Sequence, residues 1–116
     1  MRHKKDVRRL GRNKSHRKSL MRNMAISFFQ QKRIVTTEAK AKELRRTVER
    51  LITIGKKQDQ SSWRRIDAFL NHPETTKIVL ELGTKYLDRK GGYTRIIRLD
   101  SRTGDGGRTA IIQLVG

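Results

Sequence analysis

The first 22 residues constrain the chain most. Between Met1 and Arg22 stand ten cations (Arg2, Lys4, Lys5, Arg8, Arg9, Arg12, Lys14, Arg17, Lys18 and Arg22) against one acid, Asp6. After Met1, only Val7 and Leu10 are apolar before Leu20. A segment with so little apolar surface cannot offset the entropy of ordering it, and its like charges repel. Residues 1–13 are therefore expected to form a basic arm, disordered when free. Such an arm orders against a dense polyanion, nucleic-acid phosphate above all. The charge also runs on into a helix whose other side must pack, so one element binds outside and anchors inside.

The remaining 103 or so residues of a 116-residue chain suit one domain, 14–116. A formal net charge of +18 opposes the compact state by self-repulsion and calls for a counter-charge. The chain has no cysteine, which removes disulfides and thiolate metal sites. No apolar run approaches the roughly 20 residues of a membrane span. Met1 leads straight into charge, so neither a signal peptide nor membrane association is expected, and the location expected is cytoplasmic.

Helical periodicity opens with Leu20, Met21, Met24, Ala25, Phe28 and Phe29 as one apolar stripe, with Ile26 off it and Ser15 as the N-cap. His16, Arg17 and Lys18 fall in the first turn, at the positive end of the helix dipole, where cations are disfavoured unless a phosphate joins them. Arg33 to Thr36 reads as a strand, β-branched at Ile34, Val35 and Thr36. Thr36 or Thr37 can cap the second helix. Its buried stripe is Ala41, Leu44, Val48, Leu51 and Ile52, and Gly55 with Lys56 and Lys57 ends it. Its outer face repeats Lys42, Arg46 and Arg50 at i,i+4 steps, where like charges oppose each other. Arg45 with Glu49 and Glu38 with Lys42 relieve part of that repulsion. The ridge reads equally as a phosphate track and as a solvated face.

A third, short helix is expected after a polar loop, capped by Ser62, with Trp63, Ile66, Phe69 and Leu70 inward. Asn71-His72-Pro73 breaks it, and Pro73 suits the first position of a fourth helix. That helix has the stripe Ile78, Val79 and Leu82, with Gly83 as its stop. Arg89-Lys90-Gly91-Gly92 reads as a turn. Tyr93 to Leu99 alternates as a strand, with Tyr93, Ile97 and Leu99 on the core face together with Arg95, which leaves Arg98 the more exposed. A loop over Asp100–Arg108 then leads to a last strand marked by Ala110, Ile112 and Leu114. The two strands should pair as a hairpin. The fold class expected is α+β: helices packed on a small, three-stranded, mostly antiparallel sheet, with the extended basic arm at the N-terminus.

Catalytic chemistry finds no support. His3, His16 and His72 are not spaced as metal ligands, and His3 and His16, set among cations, suit phosphate or base contacts. Gly104-Asp105-Gly106-Gly107 lacks the following helix and lysine of a phosphate-binding loop. No carboxylate pair is spaced for acid–base work. No enzyme, cofactor, metal or small-molecule substrate is expected. A DNA-binding or nucleoid-compacting role is the alternative that charge alone permits, but no helix-turn-helix spacing or dimerising coiled coil supports it.

Several blocks of the chain resemble one family. Arg2-His3, Asn13, Ser15-His16-Arg17 and Arg22-Asn23 look like the opening of the L-seventeen family of bacterial large-subunit ribosomal proteins. Ile34-Val35-Thr36-Thr37 with Lys40-Ala41-Lys42-Glu43-Leu44-Arg45 is similar to its strand-into-helix block. Gly91-Gly92-Tyr93-Thr94-Arg95-Ile96 resembles its third block, and Gly104-Asp105 with Leu114-Val115 its end. Gly55 stands where the family has Ala. The resemblance covers essentially the whole chain, in order. It implies a structural protein on large-subunit, 23S-type ribosomal RNA, near the exit of the nascent-chain tunnel, with other ribosomal proteins as neighbours. The RNA contacts so expected are Arg2, His3, Lys4, Lys5, Arg8, Arg9, Arg12, Asn13, Lys14, Ser15, His16, Arg17, Lys18, Arg22 and Asn23. Lys40, Lys42, Arg45, Arg46 and Arg50 extend them along the second helix, and Gly91, Gly92, Tyr93 and Arg95 complete the set.

Overall fold

The structure is a computed structural model that describes residues 14–99 and 108–116. The expected arm, 1–13, and the loop residues 100–107 lie outside the described residues. The elements run α1 (Lys14–Gln31), β1 (Arg33–Thr37), α2 (Glu38–Gly55), α3 (Gln60–Leu70), α4 (Pro73–Lys85), β2 (Thr94–Arg98) and β3 (Thr109–Leu114). The fold is α+β, as expected.

On α1, Met21, Ala25, Phe28 and Phe29 are buried at helical spacing. The rings of Phe28 and Phe29 meet edge to face, centroids 5.6 Å apart. Ile26, off the expected stripe, still packs half-buried against the core. The helix begins at Lys14, so Ser15 lies in its first turn and does not cap it. At the other end Lys32 turns left-handed, φ +71°. Its N–H donates to the Phe28 carbonyl at 2.6 Å, and its own carbonyl accepts from the Leu114 N–H at 3.2 Å. One residue thus ends the helix and enters the sheet.

Thr37 caps α2, its hydroxyl accepting from the Lys40 N–H at 3.3 Å. Ala41, Leu44, Val48, Leu51, Ile52 and Gly55 form the buried face, and α2 lies against all three strands and against α1, α3 and α4. It is the central helix.

The cap of α3 differs from the expectation. Asp59, not Ser62, takes that place: its carboxylate accepts from the Ser62 N–H at 2.8 Å, and that bond holds the Asp59 carboxyl below its ordinary pKa. An ionised acceptor three residues ahead is the stronger cap, and Ser62 is buried beneath it. Ile66 and Leu70 are buried, whereas Trp63, expected in the core, is only half-buried. Asn71, left-handed at φ +50°, closes α3. Asp67 then ties the corner, accepting from the Thr76 hydroxyl at 2.8 Å and the His72 N–H at 3.2 Å. Pro73 occupies the first position of α4 and His72 caps it.

Gly83 does not stop α4, which continues to Lys85. It sits where α4 crosses α2: a Cβ there would stand 2.5 Å from the Gly55 carbonyl oxygen. Only the absence of a side chain lets the two backbones touch, so packing rather than chain termination explains the glycine.

The three strands form one antiparallel sheet in the order β1-β3-β2. Ile34, Ile112 and Ile96 share a row on the helix side, followed by Thr36, Ala110 and Arg98. The face expected for β2 is therefore reversed by one residue. Thr94 and Ile96 turn inward, while Ile97 and Leu99 are 38% and 40% exposed on the other face beside Arg95. Tyr93 is nevertheless buried. It precedes β2 and reaches the core from the turn, so it does not obey the strand's alternation.

Candidate nucleic-acid interface

Three cations from three segments converge on one acid of α2. Glu38 stands in the first turn, where a carboxylate suits the helix dipole. Lys42 Nζ lies 3.4 Å from its carboxylate, one turn on. Arg98 Nε reaches it from the end of β2 at 3.0 Å, and Arg108 Nη1 from before β3 at 3.8 Å. The Glu38 side chain is 12% exposed, whereas those of Arg98 and Arg108 are 67% and 68% exposed. Burial alone would raise the Glu38 pKa. The bond from Lys42 and the charges of Arg98, Lys42 and Arg108 outweigh it and hold the carboxyl below its ordinary value.

Beside this group lies an open hollow of about 410 Å³, lined by Glu38, Lys42, Arg45, Arg46, Ile96 and Arg98. Four of those six side chains are cationic and one is acidic. Arg45 also lies 3.7 Å from Glu49, so both i,i+4 pairs expected on α2 form. Lys42, Arg45, Arg46 and Arg50 are all exposed. The arrangement suits an anion bearing several oxygens, because four guanidinium and ammonium groups stand around one concavity that a single acid also lines.

The Gly91-Gly92-Tyr93 block lies elsewhere and holds the fold together. Glu49 of α2 accepts from the Gly92 N–H at 3.2 Å, the Thr94 N–H at 3.0 Å and the Thr94 hydroxyl at 2.7 Å. Gly92 is left-handed, φ +63°, which lets two N–H groups of the turn face one carboxylate. Tyr93 is 1% exposed. Its hydroxyl is 3.2 Å from that of Thr53, its ring centroid 5.2 Å from that of Tyr86, and Lys56 Nζ lies 4.9 Å above it. Tyr86 donates in turn to the Val115 carbonyl. Burial raises the Tyr86 pKa, against a smaller lowering by Arg89.

The other expected contacts are scattered. Lys14, Ser15, His16, Lys18 and Asn23 are exposed on α1, and Arg17 is half-buried. Arg22 is half-buried too, and its Nε donates to the Phe69 carbonyl at 3.1 Å, which ties α1 to α3. Lys40 is half-buried at the start of α2. Arg95 is exposed on the sheet face away from the helices. Arg2, His3, Lys4, Lys5, Arg8, Arg9, Arg12 and Asn13 lie outside the described residues. Arg98, Arg108 and the gathering role of Glu38 were not expected. The signal for Arg98 was available: pairing the alternation Thr94-Ile96-Arg98 with Ala110-Ile112-Leu114 puts it on the helix side.

Among the described residues, no three His, Cys, Asp or Glu side chains come together as a metal site, and no helix is long and apolar enough to cross a membrane. Fold and charge define a class: a small, strongly basic α+β protein with a cationic hollow between its second helix and the adjoining strand. The model of the family described as Ribosomal protein L17 matches residues 20–115, and the chain belongs to that family. It is 49% identical over 116 residues to the "Large ribosomal subunit protein bL17" of Fusobacterium nucleatum, covering 99% of this chain and 100% of that one. Proteins of the same name from Pelobacter propionicus and Sulfurimonas denitrificans are each 47% identical, over 99% of this chain and 91% and 100% of theirs.

Proposed function

We propose that the chain is a structural constituent of the large ribosomal subunit that binds 23S-type ribosomal RNA. In this reading it acts in the cytoplasm, in the ribosome, beside other large-subunit proteins and near the exit of the nascent-chain tunnel. The names of its relatives support the assembly, and the sequence resemblance supports the place near the tunnel. The observation that carries RNA binding is the hollow between α2 and β2, with four cations around one acid. Phosphate oxygens accept from guanidinium and ammonium donors, and a helix with cations at successive turns can follow a backbone. The cations Arg2 to Arg12 and those exposed at the start of α1 add further charge for the same polyanion. The role is architectural: charge neutralisation and positioning, with no bond made or broken.

Binding of the full chain to 23S RNA, competed with duplex DNA, tests this. If roughly 6–10 phosphates are neutralised, affinity should fall by about 10³–10⁵ between 50 and 200 mM salt, on a slope calibrated for DNA. A chain of residues 14–116 should bind more weakly with a shallower slope. It should keep its melting temperature, because the core among the described residues runs from Met21 to Val115. A flat plot, or equal competition by duplex DNA, would overturn the reading.

A further inference from the structure

The sheet face turned away from the helices carries an apolar strip with cations at one end. The register sets Val35, Ile111 and Ile97 in one row across the three strands. Val35 is 59% exposed and Ile97 38%, and Leu99, two residues further along the same face, is 40% exposed. Among the described residues these are three of the four exposed large hydrophobic side chains, and the half-buried Ile111 of β3 joins Val35 to Ile97. Polar residues could stand at these positions without cost to the core. Single exposed hydrophobics need no explanation, but a contiguous set marks an interaction surface. In the adjoining row Arg33 and Arg95 flank the strip, both exposed, and no described carboxylate pairs with either.

The chemistry separates the possible occupants. Sheets that read RNA stack bases on aromatic rings, and this strip is wholly aliphatic. The same face of a second copy offers no carboxylate to Arg33 and Arg95, and that copy carries the same +18 charge. We propose that the outer sheet face docks another protein of the assembly. The docking segment lays aliphatic side chains over Val35, Ile111 and Ile97 and brings a carboxylate to Arg33 and Arg95. The proposal rests on the reading that the chain is a ribosomal constituent.

The chain has no cysteine, so one introduced thiol is a unique handle. Ile97→Cys, Val35→Cys and, on the outer face of α2, Arg50→Cys chains would each carry a benzophenone maleimide, be assembled into large subunits and be irradiated. Failure of all three to sediment with the subunit would overturn the ribosomal reading and this inference with it. With sedimentation intact, both sheet positions are expected to cross-link to one other protein, at a peptide containing Asp or Glu. Cross-links from the sheet to RNA, to a second copy, or to nothing while the Arg50 position reacts would overturn the inference alone. If the label excludes only the sheet-labelled chains, Leu99→Cys at the rim of the strip decides between the same outcomes.

Discussion

The Nε of Arg98, the last residue of β2, lies 3.0 Å from a carboxylate oxygen of Glu38, the first residue of α2. The contact brings a strand end to the positive end of a helix, and it places a cation on the helix side of the sheet rather than an apolar side chain.

Arg98 is 67% exposed, so its ion pair contributes little to stability. Arg98→Ala should leave the melting temperature nearly unchanged. It should weaken binding to 23S RNA and lower the salt slope by about 1, the value for one lost phosphate contact. Arg95→Ala, on the opposite face, should change the RNA slope less. Filter binding across a salt series with both variants checks the pair.

Glu38 should respond to acid. Its folded pKa lies below the ordinary carboxylate value, so its contribution is fully present above the unfolded pKa and is lost as pH falls through the folded one. Glu38→Gln should melt below the wild type at neutral pH. The difference should shrink only once pH has dropped past the ordinary carboxylate range. Melting temperatures of both proteins from neutral pH into acid report this.

The helix crossing predicts an asymmetry between two glycines. A Cβ on Gly83 would stand 2.5 Å from the Gly55 oxygen and 2.6 Å from its carbonyl carbon, both backbone atoms that cannot rotate away. Gly83→Ala should cost at least the 1–3 kcal/mol typical of overpacking, roughly. A Cβ on Gly55 would stand 3.1 Å from the Val79 oxygen, a few tenths of an ångström too close. The helix propensity of alanine, about 1 kcal/mol over glycine, offsets that, so Gly55→Ala should be near neutral. Urea denaturation midpoints distinguish the two.

Glu49 joins α2 to the turn before β2 through three hydrogen bonds. Glu49→Ala should destabilise by about 2–3 kcal/mol, since it strips an ionised acceptor from two backbone donors and one hydroxyl. Glu49→Gln keeps an acceptor oxygen and should lose less. Amide exchange at Gly92 and Thr94 should accelerate in both variants, and more in the alanine one.

Tyr86 should set an alkaline limit. Its folded pKa is raised by burial, so the stability it contributes is present below the unfolded value of about 10 and lost as pH rises through the folded one. Tyr86→Phe loses the bond to the Val115 carbonyl, at a cost of about 1 kcal/mol. It should also lose part of the steep decline in stability at alkaline pH. Denaturation midpoints between neutral pH and about pH 11 compare the slopes, taking the free tyrosine value as reference.

Sequence alone determined the elements, because their signals are local. Met21, Ala25, Phe28 and Phe29 repeat with the helical period, and Ala41 to Ile52 do the same. Thr37 and Pro73 mark helix starts through their own backbone chemistry. The i,i+4 pairs on α2 follow from one helix's geometry, and the excess of cations in the first 22 residues is plain from composition. Tertiary structure decided which face of each strand is inside. Tyr93 and Ile97 look alike as apolar residues in alternation. The capture of Gly92 and Thr94 by Glu49, 43 and 45 residues away, sends Tyr93 into the core and leaves Ile97 outside. The same long-range geometry made Gly83 a helix crossing, turned Arg22 to the Phe69 carbonyl and brought Arg98 and Arg108 to Glu38. Periodicity records how residues relate within about two turns, whereas a cationic hollow is a relation between chain segments that only packing can bring together.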